Sequence, residues 1–214
     1  MLLSLRKNRN TFIYTSREER AKYTTLKYQK YLKRKILDVG CGDAHLKELI
    51  SHEYVGIDLA GRPDVIYDLE KGKLPFKNNS FDCVVCTDVL EHLENIHDMF
   101  FELARVTRKY VIISLPNNWN PFIKSIFRGE SVSKFYGLPV EKQRDRHKWF
   151  FNYEEAKNFI RGMAEKTGMD VIICEQYCHF GVKRPFINFS AKMIFSEARH
   201  NNIFALALWT VLER

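Results

Sequence analysis

Short apolar runs alternate with amphipathic segments along most of this chain, with polar, glycine or proline residues between them. Apolar runs of this length predict buried strands, and apolar residues at i, i+3 and i+4 predict helices. Strands are predicted at 36–39, 54–58, 65–67, 81–87, 110–115, 169–176 and 202–212. Helices are predicted at 17–34, 44–51, 96–109 and 154–167. Strands that alternate with helices favour a mainly parallel sheet covered by helices.

The first strand runs into the glycine turn Gly40-Cys41-Gly42, within KILDVGCGDAH. Glycine adopts backbone angles that a Cβ forbids and lets a ligand approach the main chain. An ordinary strand-turn-helix is the alternative. The dinucleotide fingerprint G-x-G-x-x-G/A fails here, because His45 takes the last small position. Asp38 precedes the turn and would repel a pyrophosphate, so we expect a ligand with a sulfonium or ammonium charge and an adenosine-like part.

The segment Ile36–Gly42 resembles the first motif of class I S-adenosylmethionine (SAM)-dependent methyltransferases of the type 11 pattern, with Ala44 in place of a third glycine. The resemblance continues through 55–58, 74–82 and 89–93. It implies a Rossmann-like three-layer α/β sandwich with a seven-stranded sheet of order 3-2-1-4-5-7-6 and strand 7 antiparallel. It also implies SAM as cofactor and S-adenosyl-L-homocysteine (SAH) as product.

Asp58 ends the second strand about 20 residues beyond the glycine turn, where an acid binds ribose hydroxyls in nucleotide-binding sheets. The resemblance gives Asp58 this role on SAM, and a helix-capping aspartate is the alternative. It also implies that Asp68 reaches the adenine amino group and that the next residue packs on the ring. The predicted cofactor-binding residues are Asp38, Gly40, Cys41, Gly42, Asp58, Leu59, Asp68, Leu69, Thr87, Asp88 and His92.

Two histidines are candidate catalytic bases, because histidine titrates near neutral pH. His92 follows the fourth strand, and His147 lies in a later aromatic segment. Either histidine could instead hydrogen-bond a turn or line the pocket. Cys83 and Cys86 have C-x-x-C spacing, but they lie in a strand, so we expect their side chains on opposite faces as small buried hydrophobes. No metal site is predicted.

The 214 residues suit one domain, and the net charge of +8 is unevenly placed. Residues 1–35 hold eleven Lys/Arg and two Glu, whereas the rest of the chain has 23 basic and 24 acidic residues. We therefore distinguish a basic N-terminal segment, 1–35, with a helix capped by Ser16, from a methyltransferase domain, 36–214. The basic segment could bind nucleic acid, acidic lipid or an acidic partner, or could simply be a solvated helix face.

In the resembled family an N-terminal helix often lies over the cofactor, which makes Tyr14 and Arg17 candidate contacts. No apolar run is long enough to span a bilayer, and the start is too short for a signal peptide. The five scattered cysteines fit a reducing compartment. We therefore expect a cytoplasmic protein with no transmembrane segment.

Residues 117–151 interrupt the strand–helix alternation with eight aromatic residues, and with seven basic residues against three acidic ones. Long insertions at the ligand side of a sheet are usually functional. We interpret this segment as a lid and substrate-binding insertion, and a hydrophobic layer over the sheet edge is the alternative. An anionic substrate would suit its basic side chains, which include Lys124, Arg128, Arg144, Arg146 and Lys148. A further short amphipathic helix is predicted within 180–200, to cover the core or meet a partner.

The layout of 122–129, Leu138-Pro139 and 146–150 is similar to the MetW-like branch, which is associated with methionine biosynthesis. Three hypotheses follow. The leading one is methyl transfer from SAM to a small or lipid-like, anionic acceptor. The second is a SAM-binding, non-catalytic partner or regulator of another enzyme. The third is an RNA methyltransferase steered by the basic segment, although no Asn-Pro-Pro-Tyr motif follows strand four. Homo- and hetero-oligomers both remain open.

Overall fold

The computed structural model describes residues 12–132, 135–143, 145–178 and 185–214, without the side chains of residues 185–188 and 192. A seven-stranded sheet forms its centre. The strands are β1 Lys35–Val39, β2 Glu53–Asp58, β3 Val65–Ile66, β4 Phe81–Thr87, β5 Thr107–Pro116, β6 Asp170–Tyr177 and β7 Ala207–Glu213. Their order is β3-β2-β1-β4-β5-β7-β6, and β7 runs antiparallel to both neighbours. The predicted fold class, sheet order and strand direction are confirmed.

Helices cover the sheet in the described part of the chain. They are α1 Arg17–Tyr28, α2 Ile96–Val106, α3 Trp119–Arg128, α4 Tyr153–Thr167, α5 Pro185–Ile194 and α6 Glu197–Phe204. Short 3₁₀ turns lie at Lys47–Leu49, Leu69–Lys71 and Leu90–His92. The helix termini follow their capping residues: Ser16 Oγ accepts a hydrogen bond from the Glu19 N–H at 3.2 Å, and Gly168 ends α4 in the left-handed region.

Alternating side chains of the strands build one hydrophobic core on each face of the sheet. Leu37 and Val39 pack in one core with residues of α2 and α4, whereas Ile36 packs in the other with Tyr28 and Trp209. Cys83 lies in the second core and Cys86 in the first, and both are fully buried. Their predicted placement on opposite faces is confirmed.

The predicted helix 44–51 is wrong. Ala44 has a φ of +57°, so the chain leaves the glycine turn in the left-handed region rather than starting a helix. Turns follow, with the single 3₁₀ turn Lys47–Leu49. Leu46 is buried, but Leu49 is 39 % exposed, so the apolar stripe is too weak to stabilise so short a helix.

Three predicted boundaries also need correction. The first helix ends at Tyr28 rather than at 34, because Tyr28 is buried against Trp209 and Arg34, with a φ of +53°, redirects the chain into β1. The helix after strand four ends at Val106, because Thr107 already pairs with Phe81 in the sheet. The last strand starts only at residue 207, because α6 occupies most of the predicted beginning of that strand.

The expected helix within 180–200 corresponds in part to α5, while residues 179–184 lie outside the described residues. Phe189, Met193 and Ile194 of α5 are largely exposed. No helix in the described ranges combines the length and apolarity needed to cross a bilayer.

The turn at Gly40 contains a backbone position that tolerates no side chain. Gly40 has a φ of +72°, and a Cβ there would lie 2.3 Å from Val89 Cγ2. We expect Gly40→Ala to lower the free energy of unfolding by at least about 2 kcal/mol, because it combines a left-handed φ with a steric clash. Urea unfolding followed by circular dichroism measures this change.

Gly162→Ala is the matched control, since Gly162 lies inside α4 and a Cβ there would meet nothing within 4 Å. This variant should gain about 0.5–1 kcal/mol through helix propensity. Equal effects of the two substitutions would contradict the described geometry of the turn.

Candidate functional site

A cavity of about 680 Å³ opens at the carboxyl ends of β1, β2 and β4. The order of the sheet reverses between β1 and β4, which is where open α/β sheets bind ligands. The structure brings together at this cavity all the residues predicted to bind the cofactor. They are Asp38, Gly40, Cys41, Gly42, Asp58, Leu59, Asp68, Leu69, Thr87, Asp88 and His92. Their contacts with a cofactor stay a prediction.

The glycine turn and Asp58 form one hydrogen-bonded unit. The Gly40 N–H donates to Ile57 O at 2.8 Å, and the Gly42 N–H donates to Asp58 Oδ2 at 2.8 Å. Asp58 Oδ1 accepts from the Leu59 N–H at 2.6 Å and from the Ala60 N–H at 3.3 Å. A carboxylate offers about four lone-pair sites, so three donors leave room for a ligand hydroxyl. The loop-capping alternative and the ligand-binding prediction for Asp58 are therefore compatible.

A second glycine, which the sequence reasoning missed, supports the turn from the side. Gly61 has a φ of +89°, and a Cβ there would lie 2.2 Å from Gly42 O. The neighbouring Arg62 N–H donates to Gly42 O at 2.8 Å. The loop after β2 thus packs directly on the turn after β1, and the short run Gly61-Arg62-Pro63 was the available signal.

Asp38 is almost fully buried at the floor of the cavity. Its Oδ2 accepts a hydrogen bond from the Tyr54 hydroxyl at 2.8 Å. Burial raises the pKa of Asp38 to about 7, although the Tyr54 hydrogen bond and Arg20 oppose this shift. Asp38 is therefore poised between its neutral and charged forms near pH 7, and a cation in the cavity would favour the charged form.

The segment after β3 forms a further wall of the cavity. Asp68 caps the 3₁₀ turn Leu69–Lys71, because its Oδ1 accepts from the Glu70 N–H at 3.0 Å. Leu69 is buried among core residues, with part of its surface in the cavity. Leu59, from the loop after β2, is 62 % exposed at the same cavity.

The end of β4 is tied to helix α1. Asp88 has a φ of +51°, and its carboxylate accepts hydrogen bonds from Arg20 Nη1 and from the Ser114 hydroxyl. Arg17 and Arg20 both line the cavity, so α1 lies over it. Arg17 is thus placed as expected, but Tyr14 is not among the lining residues. Tyr14 instead stacks on Tyr177 at 4.1 Å between ring centroids and accepts a hydrogen bond from Trp209 Nε1 at 3.0 Å.

His92 and His147 meet beside the cavity, with ring centroids 4.6 Å apart and nearly perpendicular planes. His92 lines the cavity, whereas His147 is not among its lining residues. Burial lowers the pKa of His92 despite the nearby Asp145, and burial lowers the pKa of His147 to about 4. Both rings are therefore neutral at pH 7, and His147 would hold an abstracted proton only weakly. Their role as bases stays a prediction.

Sequence reasoning also missed Glu91, which is buried next to the two histidines. Its main-chain carbonyl accepts from the Lys148 N–H at 2.8 Å, which fixes the insertion against the turn after β4. Burial raises the pKa of the Glu91 carboxyl well above its ordinary value. The letters Glu91-His92 were visible in the sequence, but their meeting with His147 needed the fold.

The insertion 117–151 contains α3, and among its described residues Asp145 reaches the cavity. Trp149 Nε1 donates to Leu93 O at 2.7 Å. The basic side chains of this segment mostly contact the protein itself. Lys124 donates a hydrogen bond to Asn120, and Arg146 donates one to Gly137 O. Arg128 lies near Glu130, and Lys148 forms an ion pair with Glu94. Arg144 lies outside the described residues. Among these four described side chains none lines the cavity, where Arg17 and Arg20 lie instead.

Comparison with known proteins points to one family of domains. Residues 37–114 match the family model described as a methyltransferase domain. Among curated proteins, the chain is similar to the bifunctional methionine biosynthesis protein MetXA/MetW of Rhodopirellula baltica, with 32 % identity over 104 residues. This match covers 38 % of the chain and only 16 % of that protein, so the chain spans a small part of the relative's length.

Solved structures share the fold over the whole chain. A SAM-dependent methyltransferase from Archaeoglobus fulgidus superimposes with a TM-score of 0.64 at 17 % identity, covering 100 % of this chain and 99 % of that one. A SAM-dependent methyltransferase from Mesorhizobium loti superimposes with a TM-score of 0.55 at 16 % identity, covering 91 % and 98 %. At these identities the likeness is one of fold.

The buried Asp38 should make stability depend on pH. Folded Asp38 keeps its proton up to about pH 7, whereas in the unfolded chain it loses it near its ordinary pKa of about 3.9. The folded state therefore binds more protons between these values, and its stability falls as the pH rises through them. We therefore compare the free energy of unfolding of the wild type with that of Asp38→Asn. The wild-type value minus the variant value should fall between pH 4 and pH 7. The expected fall is about 1.4 kcal/mol for each unit by which the pKa of Asp38 differs between the folded and unfolded states.

Urea unfolding of both proteins at several pH values measures this difference. Asp170→Asn is the control, since Asp170 is exposed at the start of β6. A constant difference between wild type and Asp38→Asn would show that Asp38 is not buried as described.

Proposed function

We propose that this protein is a class I methyltransferase that transfers a methyl group from SAM to a small or lipid-like, anionic acceptor, since residues 37–114 match a methyltransferase domain and SAM-dependent methyltransferases share its fold. The observation that carries the proposal is the cavity at the switch point of the sheet. Two carboxylates, Asp38 and Asp58, flank the glycine turn there. Its volume of about 680 Å³ is in the range of small-molecule sites, which is about 300–1,000 Å³.

The cavity offers a separate group for each part of SAM. We infer that Asp58 binds the ribose hydroxyls and that Asp68 and Leu69 hold the adenine. The glycine turn and the end of β4, with Thr87 and Asp88, would border the methionine part. Asp38 would favour the positive charge of the sulfonium and ammonium groups. The support for this assignment is that all of these residues line one cavity.

Methyl transfer from a sulfonium is an in-line displacement, so alignment of donor and acceptor and exclusion of water supply most of the acceleration. Helix α1 and the insertion loop cover the cavity from two sides and meet where Arg17 lies 4.0 Å from Asp145. We infer that this cover excludes water. Since Arg20 is already paired with Asp88, Arg17 is the side chain that would attract an anionic acceptor, in place of the insertion's basic side chains.

The second candidate is a SAM-binding partner or regulator of another enzyme. The partial similarity to the MetXA/MetW protein favours it. The exposed apolar side chains of α5, Phe189, Met193 and Ile194, are compatible with contact to a partner chain. An RNA methyltransferase is the third candidate, supported only by the basic segment.

Transfer of labelled methyl groups tests the proposal. The protein is incubated with methyl-labelled SAM and with lipid, small-molecule and RNA fractions of source cells. We expect label in the lipid or small-molecule fraction, and Asp58→Ala should reduce transfer at subsaturating SAM by at least about tenfold, because a hydrogen bond to a charged group contributes about 1.5–3 kcal/mol. Asp170→Ala should transfer as the wild type does.

The outcomes separate the three candidates. Label confined to RNA would favour the third candidate. No transfer to any fraction, together with SAH binding and a stable complex with another protein, would favour the partner role. Equal transfer by Asp58→Ala and wild type would contradict the assignment of Asp58.

A further inference from the structure

Three side chains beside the cavity converge on one point. Glu91, His92 and His147 each offer one ligand atom, and these atoms lie within 4.8 Å of one another. His92 Nε2 lies 3.8 Å from Glu91 Oε1, which is too long for a hydrogen bond. The hydrogen bonds at Nδ1 of His92 and His147 determine whether Nε2 of each ring has a lone pair for a ligand.

The ring of His92 is held in one tautomer. Its Nδ1 lies 3.2 Å from the main-chain oxygen of Arg146 and 3.0 Å from Asp145 Oδ1. Both oxygens only accept hydrogen bonds, so Nδ1 carries the proton. The lone pair of the neutral ring is therefore on Nε2, which faces Glu91.

The ring of His147 is also anchored through Nδ1. This atom lies 2.6 Å from the Tyr136 hydroxyl, which also lies 3.3 Å from Trp149 O. Coordination of a metal at His147 Nε2 requires the tautomer in which Nδ1 donates to the Tyr136 oxygen while the Tyr136 hydroxyl donates to Trp149 O. Metal-binding histidines typically donate their other N–H to a carboxylate, carbonyl or similar group, as His92 does here.

Glu91 supplies an independent observation. It is 1 % exposed, and among the described residues its Oε2 has no hydrogen-bond partner. A buried polar atom without a hydrogen-bond partner calls for an explanation, and an ion bound at the site is one such explanation.

We propose that Glu91, His92 and His147 bind a divalent transition-metal ion at the edge of the cavity. Two imidazoles and one carboxylate with open positions suit ions such as Mn²⁺, Fe²⁺, Co²⁺ and Zn²⁺ rather than Ca²⁺. Coordination at about 2.0–2.2 Å requires the donor atoms to lie closer together than the 3.8 Å that separates His92 Nε2 from Glu91 Oε1. The open positions lie beside the cavity that His92 lines, where an oxygen of an anionic acceptor can occupy one of them. This last role rests on the proposed function, whereas metal binding does not.

Metal binding is measured directly on the purified, chelator-treated protein. Titration with Co²⁺, followed by visible absorption and calorimetry, should show one equivalent bound. Glu91→Gln and His147→Gln should each weaken Co²⁺ binding at least about tenfold, which corresponds to about 1.4 kcal/mol. His52→Gln is the matched control, since His52 is exposed at the start of β2, at the opposite end of the strands, and should bind as the wild type does.

Nitrogen NMR of the histidine rings gives a second measurement on the wild-type protein. Addition of Zn²⁺ should shift the Nε2 resonances of His92 and His147 and leave that of His52 unchanged. This NMR measurement tests the proposed metal site even if a variant fails to fold. The proposal is overturned if the wild type binds no ion stoichiometrically, if His52→Gln loses binding as the other variants do, or if Zn²⁺ leaves both Nε2 resonances in place. SAH binding by the metal-free protein, measured in parallel, separates failure of the metal site from failure of the proposed function.

Discussion

The hydrogen bonds between the turn after β1 and the loop after β2 are the constraint on which the cavity depends. Gly42 gives its N–H to the Asp58 carboxylate and its carbonyl oxygen to the Arg62 N–H. These bonds require main-chain atoms to approach without a side chain between them, which explains Gly61, whereas a Cβ at Gly40 would meet the Val89 side chain. A hollow with exposed main-chain atoms and flanking carboxylates therefore arises from the backbone of two adjacent strands.

Polar contacts and core packing together hold the cover of the cavity in place. Arg20 of α1 reaches Asp88 at the end of β4, and this contact holds the basic helix over the opening. Asp145 of the insertion reaches His92 and approaches Arg17. The N-terminal segment thus belongs physically to the site. Its buried tyrosines, Tyr23 and Tyr28, also pack in the core formed around Trp209.

Much of the architecture was predictable because buried strands and glycine turns leave local signals. The strand 81–87 was predicted with its observed bounds, and the sheet order followed from a resemblance carried by short motifs. The helix 44–51 was not, since its apolar spacing could not reveal the left-handed Ala44. The extent of α1 and the start of β7 were set by tertiary packing around Trp209 and by α6. Local periodicity does not encode such contacts.

The candidate site also divides into residues with a local sequence signal and residues that only the fold brings together. The location at the cavity of residues next to the glycine turn and at strand ends was predictable, because it follows from their place in the chain, whereas their contacts with a cofactor stay a prediction. Arg20, Tyr54, Gly61 and Glu91 were missed, because each acts on a partner that only the fold brings near. The cluster of Glu91, His92 and His147 joins a turn to a distant insertion, so no ligand spacing was visible in the sequence.

The crystal structure of the protein with SAH bound tests the central claim most directly. The account predicts density for SAH in the hollow over Gly40 and Gly42, with the ribose hydroxyls within hydrogen-bond distance of Asp58. It also predicts the adenine between Asp68 and Leu69. SAH at another place, or the hollow filled by the protein's own side chains with Asp58 turned away from the ligand, would contradict the account.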